Sequence, residues 1–319
     1  MYKNFLSVKI AELTVVDLLK DSLYDLVSKC LCLEELHLIR CKLPSSSLEL
    51  NSPESNLKCL VLKNCCIYDC DRSFSHVSIN IPTLLRFKYE GSSCYPSINN
   101  AENLIEAEIK LDYSEKNEHG LFFNLLKDLR NVKVLTLCFR YLEVVDTNGG
   151  RSLLPPLCNL KHLAITLLLA ENALPSLMCL LRNSPCLETL SMNLQLNRYD
   201  LSEDVYNEVE APILVPHILP SDCVMHLTKI EITNFQGLKV EMEFVKMMLQ
   251  SSLCLKGMVI CISSRYEHLK KKLGRLFDEI GDQTKKKMFD EILQKKRDAA
   301  VENLLACTCV SPDARILIK

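Results

Sequence analysis

The sequence has little glycine, no surplus of either charge and no long apolar run. Its 8 glycines in 319 residues fall well below the ~7% usual for soluble proteins, which argues against the glycine-rich loops that cradle phosphates. Lysine and arginine total 38 against 40 acidic residues, a net charge of −2. The chain as a whole therefore lacks the basic footprint of a nucleic-acid binder and the one-sided charge of a disordered polyelectrolyte. Its longest apolar run, Leu163 to Ala170, is far short of the ~20 residues a membrane span needs. The opening stretch, Met1 to Ile10, has no apolar core of the kind a signal peptide carries. There is no G-x-S-x-G, H-E-x-x-H, G-x-x-x-x-G-K-[ST] or G-x-G-x-x-G pattern, so neither an enzyme nor a cofactor is expected. The 17 cysteines include no C-x-x-C pair. Without a secretion signal they point to a reducing compartment, cytoplasmic or nuclear, with most thiols acting as small buried hydrophobes.

What the chain does have is self-similarity. Leu33-Glu-Glu-Leu36-His-Leu38-Ile-Arg-Cys41 and Leu57-Lys-Cys-Leu60-Val-Leu62-Lys-Asn-Cys65 share the form L-x-x-L-x-L-x-x-C, a leucine-rich-repeat signature. Looser copies start at Leu84, Leu104, Val132, Leu160, Leu187, Leu227 and Leu255, and Phe5/Val8/Ile10 reads as a first one. Successive starts are 20 to 28 residues apart, except for a step of 40 from Leu187 to Leu227. That step contains an acidic, proline-punctuated stretch, Tyr199 to Pro220, read as an inserted loop and a boundary. The last two apolar positions of each copy are two residues apart and so face one side of a strand. A single unit cannot bury that side; stacked units can, as a parallel sheet whose returns cross behind it, usually as helices. Helical spacing appears at Leu18, Leu19, Leu23, Leu26 and Val27, at Leu121, Phe122, Leu125, Leu126 and Leu129, and at Leu174, Leu177, Met178 and Leu181.

The expected fold is α/β: a leucine-rich solenoid over residues 1–215, continued by an αβ region over 216–319. Its concave sheet face is the expected binding surface, formed by the residues flanking the inward leucines. Stacking in register sets Arg86 beside Glu106, Lys88 beside Glu108 and Glu90 beside Lys110. This would be a self-neutralised ladder of cross-strand pairs. A partner is then expected on the uncharged positions Val134, Thr136, Cys138, His162, Ala164, Thr166, Thr189, Ser191 and Asn193.

Other features carry less. Cys65, Cys66, Cys70 and His76 include zinc-ligand types, but Cys65 fills the repeat's cysteine slot and the others lack a spaced second pair, so no metal is expected. Of Cys307 and Cys309, one is expected to face the core of a closing strand. His37 and His162 should point outward, with no partner near them in sequence. Basic clusters at Lys270–Lys272, Lys285–Lys287 and Lys295–Arg297 read as solvated faces of amphipathic helices or as an import signal.

Three junctions look alike: Cys30-Leu-Cys-Leu33, Ser184-Pro-Cys-Leu187 and Ser252-Leu-Cys-Leu255. The first two, with their following Glu, resemble the S-x-C-P-x-L-E-x-L junction of the plant F-box/FBD/leucine-rich-repeat proteins. Cys223 to Gly237 followed by Glu241 to Leu249 is similar to that family's FBD pattern, a C-L-x-x-L-K-x-I/V-E-I-x-x-F-x-G strand and an E-L-x-L-V-K-x-L-L helix. Ser311 to Ile318 looks like its closing A-S-P-x-A-x-I strand. The resemblance implies a non-catalytic protein-recognition module, the substrate-receptor part of an F-box-type ubiquitin-ligase adaptor. The family's F-box binds a Skp-type adaptor, and the chain opens directly inside a repeat, so the resemblance does not extend to that contact. The alternatives are a stand-alone interaction or decoy module and a truncated gene product without ligase recruitment.

Overall fold

The computed structural model describes residues 7–18, 20–43, 47–67, 75–91, 94–111, 119–139, 155–167, 173–195, 224–263, 278 and 283–319. Eleven strands form a parallel sheet, and the chain falls into two compact units, 1–163 and 164–319. The boundary expected at 215/216, the acidic loop, Cys70 and the Lys270–Lys272 cluster lie outside the described residues.

In the first unit the sheet strands are β1 (Ile10–Thr14), β2 (Glu35–Ile39), β5 (Cys59–Lys63), β8 (Arg86–Gly91), β10 (Glu106–Leu111) and β11 (Val134–Phe139), adjacent in that order. β12 (His162–Leu167) contains the division between the units. The second unit holds β13 (Thr189–Leu194), β14 (Lys229–Phe235), β15 (Gly257–Ile262) and β16 (Arg315–Ile318), again adjacent in order. The three apolar positions of every copy from Leu33 onward are buried, none more than 4% exposed. They stack apolar on apolar: Leu36 is opposite Leu60, which is opposite Phe87, and Leu190 is opposite Ile230, which is opposite Met258.

The first copy sits three residues later than its sequence suggests. Ala11 is opposite Leu36 and Leu13 opposite Leu38, so the inward pair is Ala11/Leu13 and Ile10 is 62% exposed. Alanine in a leucine slot hides the pattern. The turn after the strand confirms the register. Val15, Arg40, Asn64 and Asn234 each stand seven residues after their copy's first apolar position and each has φ between 51° and 60°. The left-handed conformation suits asparagine; for β-branched Val15 it is strained.

The strand starts share a backbone pattern, to which side chains add, as where the Thr228 hydroxyl donates to the Glu188 carbonyl at 3.1 Å. The first apolar residue of a copy donates its N–H to the carbonyl three residues earlier, as in Leu33 to Cys30, Leu84 to Ile81, Leu187 to Ser184 and Leu255 to Ser252. Two successive N–H groups then share one carbonyl of the preceding copy. Glu34 and Glu35 donate to Lys9, Lys58 and Cys59 to Glu34, Leu85 and Arg86 to Lys58, and Lys256 and Gly257 to Thr228. The three similar junctions are thus one recurring turn. At the far end the cysteine slot closes the copy: Cys41 donates its thiol to the Leu13 carbonyl at 3.1 Å and Cys65 to that of Leu38 at 3.3 Å.

Helical returns form where the apolar spacing indicates them, at α1 (Lys20–Lys29), α2 (His119–Asp128) and α3 (Ala173–Arg182). Leu23, Val27, Leu125, Leu126, Leu174, Leu177 and Leu181 are buried there. Three returns depart from that expectation. β4 (Ser47–Asn51), β7 (Ser75–Asn80) and β9 (Cys94–Asn99) form a second parallel sheet in that order. Leu33 to Leu57 and Leu84 to Leu104 leave few residues for a helix and two turns, and Ser-His-Val-Ser-Ile-Asn alternates with period two. The short pair β3 (Lys42–Leu43) and β6 (Cys66–Ile67) bridges neighbouring copies. Asn80 donates to Asn51 and Asn100 to Asn80 across the back sheet. Asp128 at the end of α2 accepts the Ile98 N–H at 2.9 Å, which occupies an edge donor of β9.

In the second unit β14 leads through Gln236 and Gly237 into α4 (Lys239–Ser251), and α5 (Gln283–Leu305) precedes β16. Gly237 has φ +77°, and a Cβ there would lie 2.5 Å from that of Ala300, so both conformation and space demand glycine. Buried Glu241 folds back to accept the N–H groups of Gln236 at 2.8 Å and Leu238 at 3.2 Å. The FBD-like F-x-G…E spacing is thereby a helix-start device. Burial pushes the Glu241 carboxyl up to about 7 against the opposing pull of its backbone donors.

Candidate recognition surface

Alternate strand residues stand on the outward side of the sheet. In the first unit these include Glu35, His37, Val61, Lys63, Arg86, Lys88, Glu90, Glu108 and Lys110, all part or fully exposed. Val134, Thr136 and Cys138 of β11 are half-buried and His162 is exposed. In the second unit Ala164, Thr166 and Thr189 are half-buried and Ser191 and Asn193 exposed. All nine sequence-derived candidates are thus half-buried or exposed, and each has at least one buried sequence neighbour. Asn193 accepts from Thr233 at 3.2 Å and Asn234 at 2.7 Å, which ties its carbonyl to the next strand.

The charged ladder has the expected register, with Arg86 opposite Glu106, Lys88 opposite Glu108 and Glu90 opposite Lys110. Its side chains pair differently. Lys88 meets Glu108 at 3.0 Å as expected. Arg86 instead reaches across the strand holding Cys59 to Glu35 at 2.8 Å, Glu90 takes Lys63 at 3.0 Å, and Lys110 bonds Glu108 of its own strand at 2.6 Å. The small cysteine leaves room for the long guanidinium to span two strands. The result is a neutralised network over β2, β5, β8 and β10 rather than three separate pairs. Hydrogen bonds from Lys110 and Lys88 hold the Glu108 carboxyl below its ordinary value.

The cysteines correct the expectation of general burial. Cys30, Cys41, Cys59 and Cys65 are buried, but Cys32, Cys66, Cys158, Cys186 and Cys254 are exposed. Cys32, Cys186 and Cys254 directly precede a copy's first leucine and point out of the turn. Cys65 is engaged with the Leu38 carbonyl rather than turned to its exposed neighbour Cys66. Burial pushes its thiol up to about 11. Cys307 and Cys309 both precede β16 and are half-buried, so neither fills the core of a closing strand as expected.

His37 does have partners, Glu35 on its own strand and Glu12 brought opposite by strand pairing. Its Nδ1 lies 3.8 Å from Glu12 and its Nε2 3.7 Å from Glu35, while Cys59 is directly opposite Glu35. The alignment of copies contained that juxtaposition, but it emerges only when strands are stacked rather than read singly.

The geometry of this sheet agrees with the comparisons to known proteins. A family model described as the At1g61320/AtMIF1 LRR domain matches residues 2–300. Three Arabidopsis thaliana proteins are similar. F-box/LRR-repeat protein At2g42730 is 28% identical over 259 residues, 76% of this chain and 53% of that protein. Putative F-box protein At3g29830 is 27% identical over 186 residues, 54% of this chain and 38% of that protein. F-box protein At3g62430 is 29% identical over 202 residues, 60% and 43% respectively. The chain spans about half or less of the length of these curated relatives. Repeat spacing, ladder register and a family match over nearly all of the sequence lead to one placement: the chain belongs to the At1g61320/AtMIF1 leucine-rich-repeat domain family.

Proposed function

We propose that the chain is a non-catalytic protein-recognition module, equivalent to the substrate-receptor part of an F-box-type ubiquitin-ligase adaptor, acting in the cytoplasm or nucleus. The observation that carries this reading is the division of labour along each sheet strand. Inward residues supply the core, and their outward neighbours present a surface whose composition the core does not dictate. In the first unit the outward candidate positions are Val134, Thr136, Cys138 and His162. In the second they are Ala164, Thr166, Thr189, Ser191 and Asn193, with residues 216–319 as the FBD-like end of the module. The exposed thiols suit a reducing compartment.

The test has two arms. Thr136→Arg in one variant and Ser191→Arg in another should each remove a defined subset of the plant proteins retained by the purified chain, with the folded signal unchanged. A retained set identical for wild type and both variants would sink the proposed surface. Mixing the chain with a purified Skp-type adaptor reports the ligase link separately: co-elution places an adaptor contact in this chain, and its absence confines the chain to recognition.

A further inference from the structure

Two ligand-bearing side chains of β2 and a third from β5 converge on the outward side of the sheet. Glu35 and His37 are two residues apart on one strand and share its face. Strand pairing sets Cys59 directly opposite Glu35 and Glu12 directly opposite His37. One ligand atom from each of Glu35, His37 and Cys59 lies within 4.8 Å of the other two, and His37 Nε2 is 3.7 Å from Glu35 Oε2. A tetrahedral ion with bonds of ~2.0–2.3 Å needs its ligands ~3.3–3.8 Å apart. The side chains are therefore within about an ångström of that spacing with the backbone left in place.

We propose that Glu35, His37 and Cys59 form a three-ligand site for a zinc-class divalent cation, with the fourth position facing outward. Carboxylate, imidazole and thiolate are the donor types this ion takes. The two oxygens of Glu35 have separate tasks: Oε1 accepts Arg86 at 2.8 Å and Oε2 faces His37. Glu12 stands 3.8 Å from the far nitrogen of His37, where a carboxylate orients a ligating imidazole and raises its basicity. Cys59 is held by main-chain pairing on both sides, to β2 and to β8, which fixes its direction. Burial raises its thiol above the ordinary value, amid charges from Arg86, Glu35, Lys88 and Glu106. The ion must displace that proton, so binding releases one and strengthens as pH rises. The site is independent of the proposed partner surface.

The full chain, stripped with a chelator and kept reduced, would be titrated with Zn²⁺ against a chromophoric competitor. One tight equivalent is expected, weakened at least tenfold in His37→Gln and in Cys59→Ser, and weakened less in Glu12→Gln. Co²⁺ should give a thiolate charge-transfer band in wild type that Cys59→Ser lacks. His37→Gln alters a surface position, so it tests the site even if Cys59→Ser disturbs the fold. Equal affinity in wild type and His37→Gln, with the band retained in a folded Cys59→Ser, would assign the ion to other thiols and overturn the site. So would the absence of any equivalent bound at micromolar ion.

Discussion

At the scale of single residues, the structure turns several sequence letters into specific bonds. The repeat's cysteine is a weak donor to the preceding copy, through Cys41 to Leu13 and Cys65 to Leu38. Glu241 is the sharper case. Its folded carboxyl is raised from 4.5 to about 7, so between those values the folded chain keeps a proton that the unfolded chain has released. The stability this contributes is full below about pH 4.5 and is lost as pH rises through 7. Glu241→Gln does not titrate. Urea unfolding of both proteins from pH 5 to 8 should show wild type losing roughly 1–3 kcal/mol relative to the variant. A difference that stays constant with pH would show that the carboxyl is ionised throughout. The motif spacing made Glu241 visible in the sequence, but its backward reach to Gln236 and Leu238 is a product of the turn.

Elements show which signals sequence carries well. Leucines at strand and helix spacing located the sheet strands and the returns α1, α2 and α3, because burial imposes a period on side chains. The back strands β4, β7 and β9 leave a weak signal because their alternation is short and interrupted by polar residues that bond across the sheet, as Asn80 does to Asn51. The first copy is hard to place from sequence because Ala11 is a small inward residue and Ile10 a large outward one. Leu135 of β11 is fully buried, and truncation to alanine should cost ~2–5 kcal/mol through lost transfer energy and a residual cavity. Chemical denaturation would read that loss, and a cost below ~1 kcal/mol would mean that the site collapses around the smaller side chain.

Across the described residues, burial separates buried thiols from exposed ones, with others between, a distinction that composition does not carry. Cys41 and Cys65 are buried and bonded, whereas Cys32, Cys186 and Cys254 project from the turns that begin three copies. Reduced native protein exposed briefly to iodoacetamide should be modified first at Cys32, Cys186 and Cys254 and last at Cys41 and Cys65. Mass spectrometry of peptides checks this, and uniform labelling would mean that the cores open on the timescale of the reaction. The site legible in sequence was the outward face as a class of positions. The cluster of Glu35, His37 and Cys59 was not, since it depends on three residues meeting across a ladder.

The paired amides that share one carbonyl at each strand start make stacking a property of the main chain. A substitution at an outward position that keeps its amide keeps this stitch between neighbouring copies. New specificities can therefore arise by drift at alternate positions while the scaffold persists, much as type is reset in a fixed frame.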